Sequence, residues 1–379
     1  MNDSAKMGRN MVAGLTELPT RGGIEMDMKS IKTIAGLAMA CCLVTVPDCL
    51  AVEGDPAPRS LAAQDERVRA EQDRALEAEQ MLGAVVRVRS KALEDARSNS
   101  SLGRTREGTG VVIDDQGHIL TVGYIVIESE AIEVTTAEQK TVPATLVGYD
   151  HASGFGLLKA QMPMGVKPIA MGLSSALAVR DPVMVLPFGG REAATPTYVV
   201  AKRQFAGSWE YLLDEAIFTS PPTLSWAGAA LVGRDGRLVG IGSLLVRDTV
   251  ERGTPLPGNM FIPIDLVKPI LQDLVLKGRA AGDGRPWLGL ATEEVQGRLF
   301  VTRVSPDSPA DKAGIKRGDI VVGVGAAAVK THEELYRKMW GMGAAGTDVA
   351  LKLLQGVDVR EVRVRSIDRA EYFRAKPVF

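Results

Sequence analysis

Gly108-Thr109-Gly110-Val111-Val112-Ile113-Asp114-Asp115-Gln116-Gly117-His118-Ile119-Leu120-Thr121 decides how this chain is read. Two β-branched, apolar runs flank Asp-Asp-Gln-Gly, which is the turn chemistry of a β-hairpin. Short runs of the same texture continue on both sides. They predict strands over 84–88, 132–135, 142–148, 155–160, 182–186, 197–201, 229–232, 238–245 and 260–262. Many short antiparallel strands at this spacing describe a sandwich or barrel. The 40 glycines and 20 prolines fit that picture better than a helical bundle. A helix follows, with Val267, Ile270, Leu271 and Leu274 on one face and Gly278 just past its end. Residues 279–285 read as a linker, and a second β-rich unit runs from Pro286 to about Ile367.

At 379 residues the chain has room for two or three domains. Its 45 basic and 46 acidic residues leave no basic footprint for nucleic acid. Three histidines and three cysteines give zinc or thiol chemistry few candidates, and no cofactor signature is present. Cys41, Cys42 and Cys49 all fall in one stretch that begins with Lys29 and Lys32 and continues as an apolar run over 34–46. A basic start, an apolar run of about a dozen residues and small residues near Ala51 describe a signal peptide. Residues 1–51 are therefore expected to be an N-terminal extension and signal peptide, and the protein to be exported to the periplasm or cell envelope. An uncleaved membrane anchor is the alternative. Residues 52–82 read as a charged helical spacer, because 60–81 is rich in Ala, Glu, Gln and Arg and lacks Gly and Pro.

Several blocks, in order, resemble the HtrA/Deg family of exported trypsin-like serine proteases that carry a C-terminal PDZ domain. The quoted hairpin resembles the family's opening hairpin. Val147-Gly148-Tyr149-Asp150 with Gly156-Leu157-Leu158-Lys159, then Pro187-Phe188-Gly189, then Met260-Phe261-Ile262-Pro263, look like later blocks of the same protease domain. The resemblance implies a mainly β fold: a trypsin-like double six-stranded β-barrel over 83–278, followed by a PDZ domain over 285–367. It is more specific in the second unit, where 304–322 follows the family's PDZ pattern. Trp287-Leu288-Gly289-Leu290 stands at that domain's carboxylate-binding loop. Main-chain N–H groups there can receive a peptide's terminal carboxylate while the peptide adds as a strand. Thr331 and Glu334 form a capping box that opens the groove helix. His332, its first residue, either reads a Ser or Thr of the ligand or is merely solvated.

Trypsin-like catalysis needs a serine nucleophile, a histidine base and an orienting carboxylate. Carried over residue by residue, those positions fall on Ala227, Tyr124 and Gly154. Residues 225–232, Ser-Trp-Ala-Gly-Ala-Ala-Leu-Val, align with the family's serine block. The substitutions lead us to expect no catalytic residues and a pseudoprotease that is not an enzyme. His118 and His151 are expected to be solvated surface histidines. The expected work is binding polypeptide C-termini, exposed strands or unfolded proteins through Trp287, Leu288, Gly289, Leu290 and His332, as a chaperone-like factor, adaptor or regulator. Family resemblance implies a homo-oligomer, a trimer. Two alternatives stay open: an active HtrA-type serine endopeptidase, and a structural oligomer component.

Overall fold

Two six-stranded closed barrels and a C-terminal sheet domain follow an exposed helix in the computed structural model, which describes residues 61–251 and 255–373. The signal-like segment and all three cysteines lie outside the described residues. Helix α1 spans Leu61–Gly83. Among the described residues no helix is long and apolar enough to cross a membrane.

The first barrel comprises β1 (Val85–Ala92), β2 (Thr105–Val112), β3 (His118–Val122), β4 (Ser129–Thr135), β5 (Thr141–Tyr149) and β6 (Phe155–Ala160), with the short α2 (Asn99–Leu102) between β1 and β2. Around the barrel the order is β1-β2-β3-β6-β5-β4. The hairpin quoted above pairs as expected, Val111 with Leu120 and Val112 with Ile119. Val86, Val88, Leu120, Phe155 and Leu157 are buried in one apolar cluster, each such burial contributing roughly 1.5–3 kcal/mol.

The second barrel comprises β7 (Pro182–Leu186), β8 (Thr195–Gly207), β9 (Tyr211–Ser220), β10 (Ala230–Val232), β11 (Leu238–Val246) and β12 (Gly258–Pro263), in the order β10-β11-β12-β9-β8-β7. Helix α3 (Leu271–Lys277) ends at Gly278, whose φ of 73° is the left-handed conformation expected of a glycine past a helix end. Strand β9 is not among the expected strands, and β8 runs six residues beyond its expected end. Together they form a long hairpin. Gly207 pairs with Tyr211, which leaves a three-residue tip, Ser208-Trp209-Glu210. Three-residue hairpin loops place their last residue in the left-handed region, usually a glycine. Here it is Glu210, at φ 58°.

In the C-terminal domain β14 (Leu290–Val295), β15 (Arg298–Val304), β16 (Ile320–Val324), β18 (Asp348–Gln355) and β19 (Asp358–Arg365) form the main sheet in that order. The short β17 (Ala327–Ala328) pairs with β16, and β13 (Pro286–Trp287) pairs with β20 (Ile367–Asp368). Helices α4 (Pro309–Lys312), α5 (His332–Trp340) and α6 (Arg369–Tyr372) complete it. Thr331 caps α5 by accepting from Glu334 N at 3.2 Å, and the Glu334 carboxylate accepts from Lys330 N at 2.7 Å. Leu335, Tyr336 and Met339 of α5 pack on the sheet in an apolar cluster with Leu288 and Leu290. One member of that cluster, Leu212, comes from β9 of the second barrel.

Two histidines differ from expectation. His118 is buried, and its Nδ1 lies 2.6 Å from the Asp114 carboxylate, so the hairpin turn holds it rather than solvent. His151 is enclosed between Tyr149, with ring centroids 4.1 Å apart, and Phe373 at 5.6 Å. Burial pushes its imidazole down to about 3, with a smaller contribution from Arg369, so it stays neutral at physiological pH.

Candidate active site and peptide groove

Each of the three positions that the sequence reading assigns to a catalytic triad lies against the opposite barrel. Tyr124 lies on the short turn after β3, and its hydroxyl donates to Ser243 O of β11 at 2.9 Å. Burial raises the phenol's pKa far above neutrality, so this group is no base. The buried Nε1 of the Trp226 indole stands beside it.

Gly154 adjoins the same turn, accepting from Gly123 N at 2.8 Å. Its φ of 89° is disfavoured for any residue with a Cβ, and a Cβ there would lie 3.2 Å from the Tyr211 hydroxyl. Ala227 sits on the turn preceding β10. Its carbonyl accepts from Thr109 N of β2 at 2.8 Å, which ties the second barrel's turn to the first barrel. Gly228, at φ 76°, lets that turn press against the Thr109 carbonyl, which Thr121 Oγ1 also bonds at 2.7 Å. Ser225, two residues earlier, is exposed.

The second site is the loop at Trp287–Leu290. Gly289 has φ 89°, and a Cβ there would collide with Ser308, so only glycine lets the loop close over α4. The N–H groups of Leu288, Gly289 and Leu290 converge as the carboxylate-binding reading requires. A carboxylate already occupies them. Glu210 Oε2 accepts from Leu288 N at 3.0 Å, while Oε1 accepts from Gly289 N at 2.7 Å and Leu290 N at 2.8 Å. Trp287 itself turns away into a ring contact with Tyr372, centroids 4.6 Å apart. His332 lies across the groove with Nε2 3.0 Å from Thr292 O of β14 and its ring stacked on Tyr336. Sequence reasoning missed Glu210. Its one local signal is a glutamate at a tight turn position where glycine is the usual choice.

Among known families, residues 108–241 match a trypsin-like peptidase domain and residues 286–365 match a PDZ domain. The chain joins a trypsin-like peptidase domain to a PDZ domain. It is 29% identical over 272 residues to the periplasmic serine endoprotease DegP of Escherichia coli, covering 68% of this chain and 56% of that protein. It is 27% identical over 281 residues to the chloroplastic Protease Do-like 1 of Arabidopsis thaliana, covering 68% and 62%. A solved HtrA-type protease, AlgW with a decapeptide, shares 17% identity at a TM-score of 0.48, over 80% of this chain and 99% of that one. The chain spans about half the length of the curated relatives it matches.

These matches correct the expectation that the chain is not an enzyme. DegP is named a serine endoprotease and Do-like 1 a protease, and the matched barrel domain is a peptidase domain. That expectation had rested on three aligned positions alone. The double barrel is complete, and Thr109 N of the first barrel bonds Ala227 O of the second.

Proposed function

We propose that this chain engages polypeptides in the cell envelope as a DegP-type protein with serine endopeptidase activity. Its PDZ domain takes hold of a C-terminus or exposed strand, and the cleft between the barrels acts on the captured chain. The observation that carries the reading is the convergence of the Leu288, Gly289 and Leu290 N–H groups on one carboxylate, beside a barrel pair that matches a peptidase domain. Successive main-chain donors of this kind suit a terminal carboxylate. Export agrees with the Lys29/Lys32 start, the apolar run after it and the periplasmic names of the relatives. The PDZ and HtrA resemblances support self-association, with a trimer as the expected assembly.

The endopeptidase half needs a nucleophile other than residue 227. Ser225, exposed on the same turn, is the nearest serine in sequence. Incubating the purified protein with unfolded casein and with a fluorophosphonate probe tests both halves. Casein cleavage with covalent labelling of one serine supports the activity and names its nucleophile. Casein binding with neither cleavage nor labelling sinks the endopeptidase half and leaves polypeptide engagement standing. No casein binding at all sinks the whole reading.

A further inference from the structure

The hairpin tip does more than touch the PDZ domain: it lies in the groove in the pose of a peptide ligand. The Glu210 carboxylate fills the loop reserved for a terminal carboxylate. Two residues before it, Ser208 O accepts from Thr292 N of β14 at 3.0 Å, a main-chain bond of the kind an added peptide strand makes. On the other wall, the Tyr336 hydroxyl of α5 donates to Gly207 O at 2.6 Å and receives Glu210 N at 3.1 Å. Leu212 supplies an apolar side chain to the cluster beneath, among Leu288, Leu335 and Met339. Carboxylate, strand pairing and apolar anchor are thus all supplied by the chain itself.

We propose that Glu210 is an internal stand-in for a polypeptide C-terminus, and that a free C-terminal peptide binds the PDZ groove only by displacing the β8–β9 hairpin tip. This rests on the groove being a C-terminus reader and adds what controls it. A bound peptide and a docked tip compete for the same three N–H groups, so capture of a polypeptide end frees the hairpin of the peptidase barrel. The left-handed backbone of Glu210 supports the assignment. A glutamate held where glycine is the relaxed choice persists only when its surroundings hold it there, and here the surroundings are the carboxylate loop. The buried carboxylate, pushed up to about 7 by desolvation, accords with a group placed for its contacts rather than for its own comfort.

The test uses the full chain and a fluorescein-labelled decapeptide ending in Gly-Ser-Trp-Leu with a free carboxylate. Glu210→Gly removes the carboxylate while suiting the left-handed turn, and Glu210→Gln keeps the side chain's shape. Both variants should bind the peptide at least tenfold more tightly than the unaltered protein. Amide hydrogen exchange at Leu288, Gly289, Leu290 and Thr292 is read in parallel, without peptide. These amides should be protected in the unaltered chain and lose protection in Glu210→Gly. Equal peptide affinity in all three proteins overturns the proposal, as does exchange unchanged by the substitution. Loss of protection in the variant, with no peptide bound by any of the three, keeps the internal contact and refutes the C-terminus reading instead.

Discussion

The Tyr124 hydroxyl donates to the main-chain oxygen of Ser243 across the junction of the two barrels, at 2.9 Å. The phenol is half-buried, and its partner is a strand carbonyl of the opposite barrel. Removing the hydroxyl leaves that carbonyl without its donor, a loss of about 1–2 kcal/mol. Tyr124→Phe should therefore lower the urea midpoint with little change in slope. An unchanged midpoint would mean that water replaces the bond at no cost.

Gly228→Ala should be more severe. The new methyl would run into the Thr109 carbonyl, at a residue whose φ of 76° already resists a side chain. The Thr109 backbone cannot step aside as a side chain could, so a loss of more than about 2 kcal/mol is expected. Thermal unfolding reads the loss. A variant that melts within a degree or two of the parent would show that the wedged turn yields easily.

Gly289→Ala separates the two sites. Its Cβ would strike Ser308, and its φ of 89° excludes a relaxed alanine, so the carboxylate loop must reshape. The second barrel meets this position through the Glu210 carboxylate at its hairpin tip. Peptide binding should fall by more than tenfold while near-ultraviolet dichroism of the barrel aromatics is retained. Unimpaired peptide binding would move the carboxylate site elsewhere.

The Glu210 carboxyl gives a pH dependence with a definite sign. Desolvation raises it from 4.5 to about 7, against the pull of the Leu288, Leu290 and Gly289 N–H groups and of Arg369. Tyr336 faces it from α5, and Asp150, His151, Arg285 and Asp368 line the adjoining cavity. The folded state binds a proton more tightly than the unfolded one. This contribution is therefore fully present below about pH 4.5 and is lost as the pH rises through 7, on the order of 3 kcal/mol in all. The stability of the unaltered protein relative to Glu210→Gln should decline across that window and level off above it. A difference that grows with pH would reverse the assignment.

Most of the barrel fold was legible in the sequence because its strands are short, apolar and bounded by glycine turns. Strand β9 was not. Asp214-Glu215 interrupts Tyr211-Leu-Leu and Ala216-Ile-Phe, and a charged pair at mid-strand reads as a loop. The same gap hid the hairpin tip. The carboxylate loop could be placed from its own four residues, but its occupant lies 78 positions away from Leu288, and no local pattern encodes that meeting. His118 and His151 were misplaced for a similar reason: what covers them is Asp114 across a turn and a Tyr149–Phe373 sandwich.

Leu212 has a bearing on how the halves of this molecule can be studied. Severing the chain within the 279–285 segment would strip the C-terminal half of a leucine that helps fill its interior, and leave three converging donors facing water. Such a fragment would be hungrier for ligands than the parent. Partners fished out with it would report what the slot tolerates when vacant, rather than what the whole protein admits in the cell.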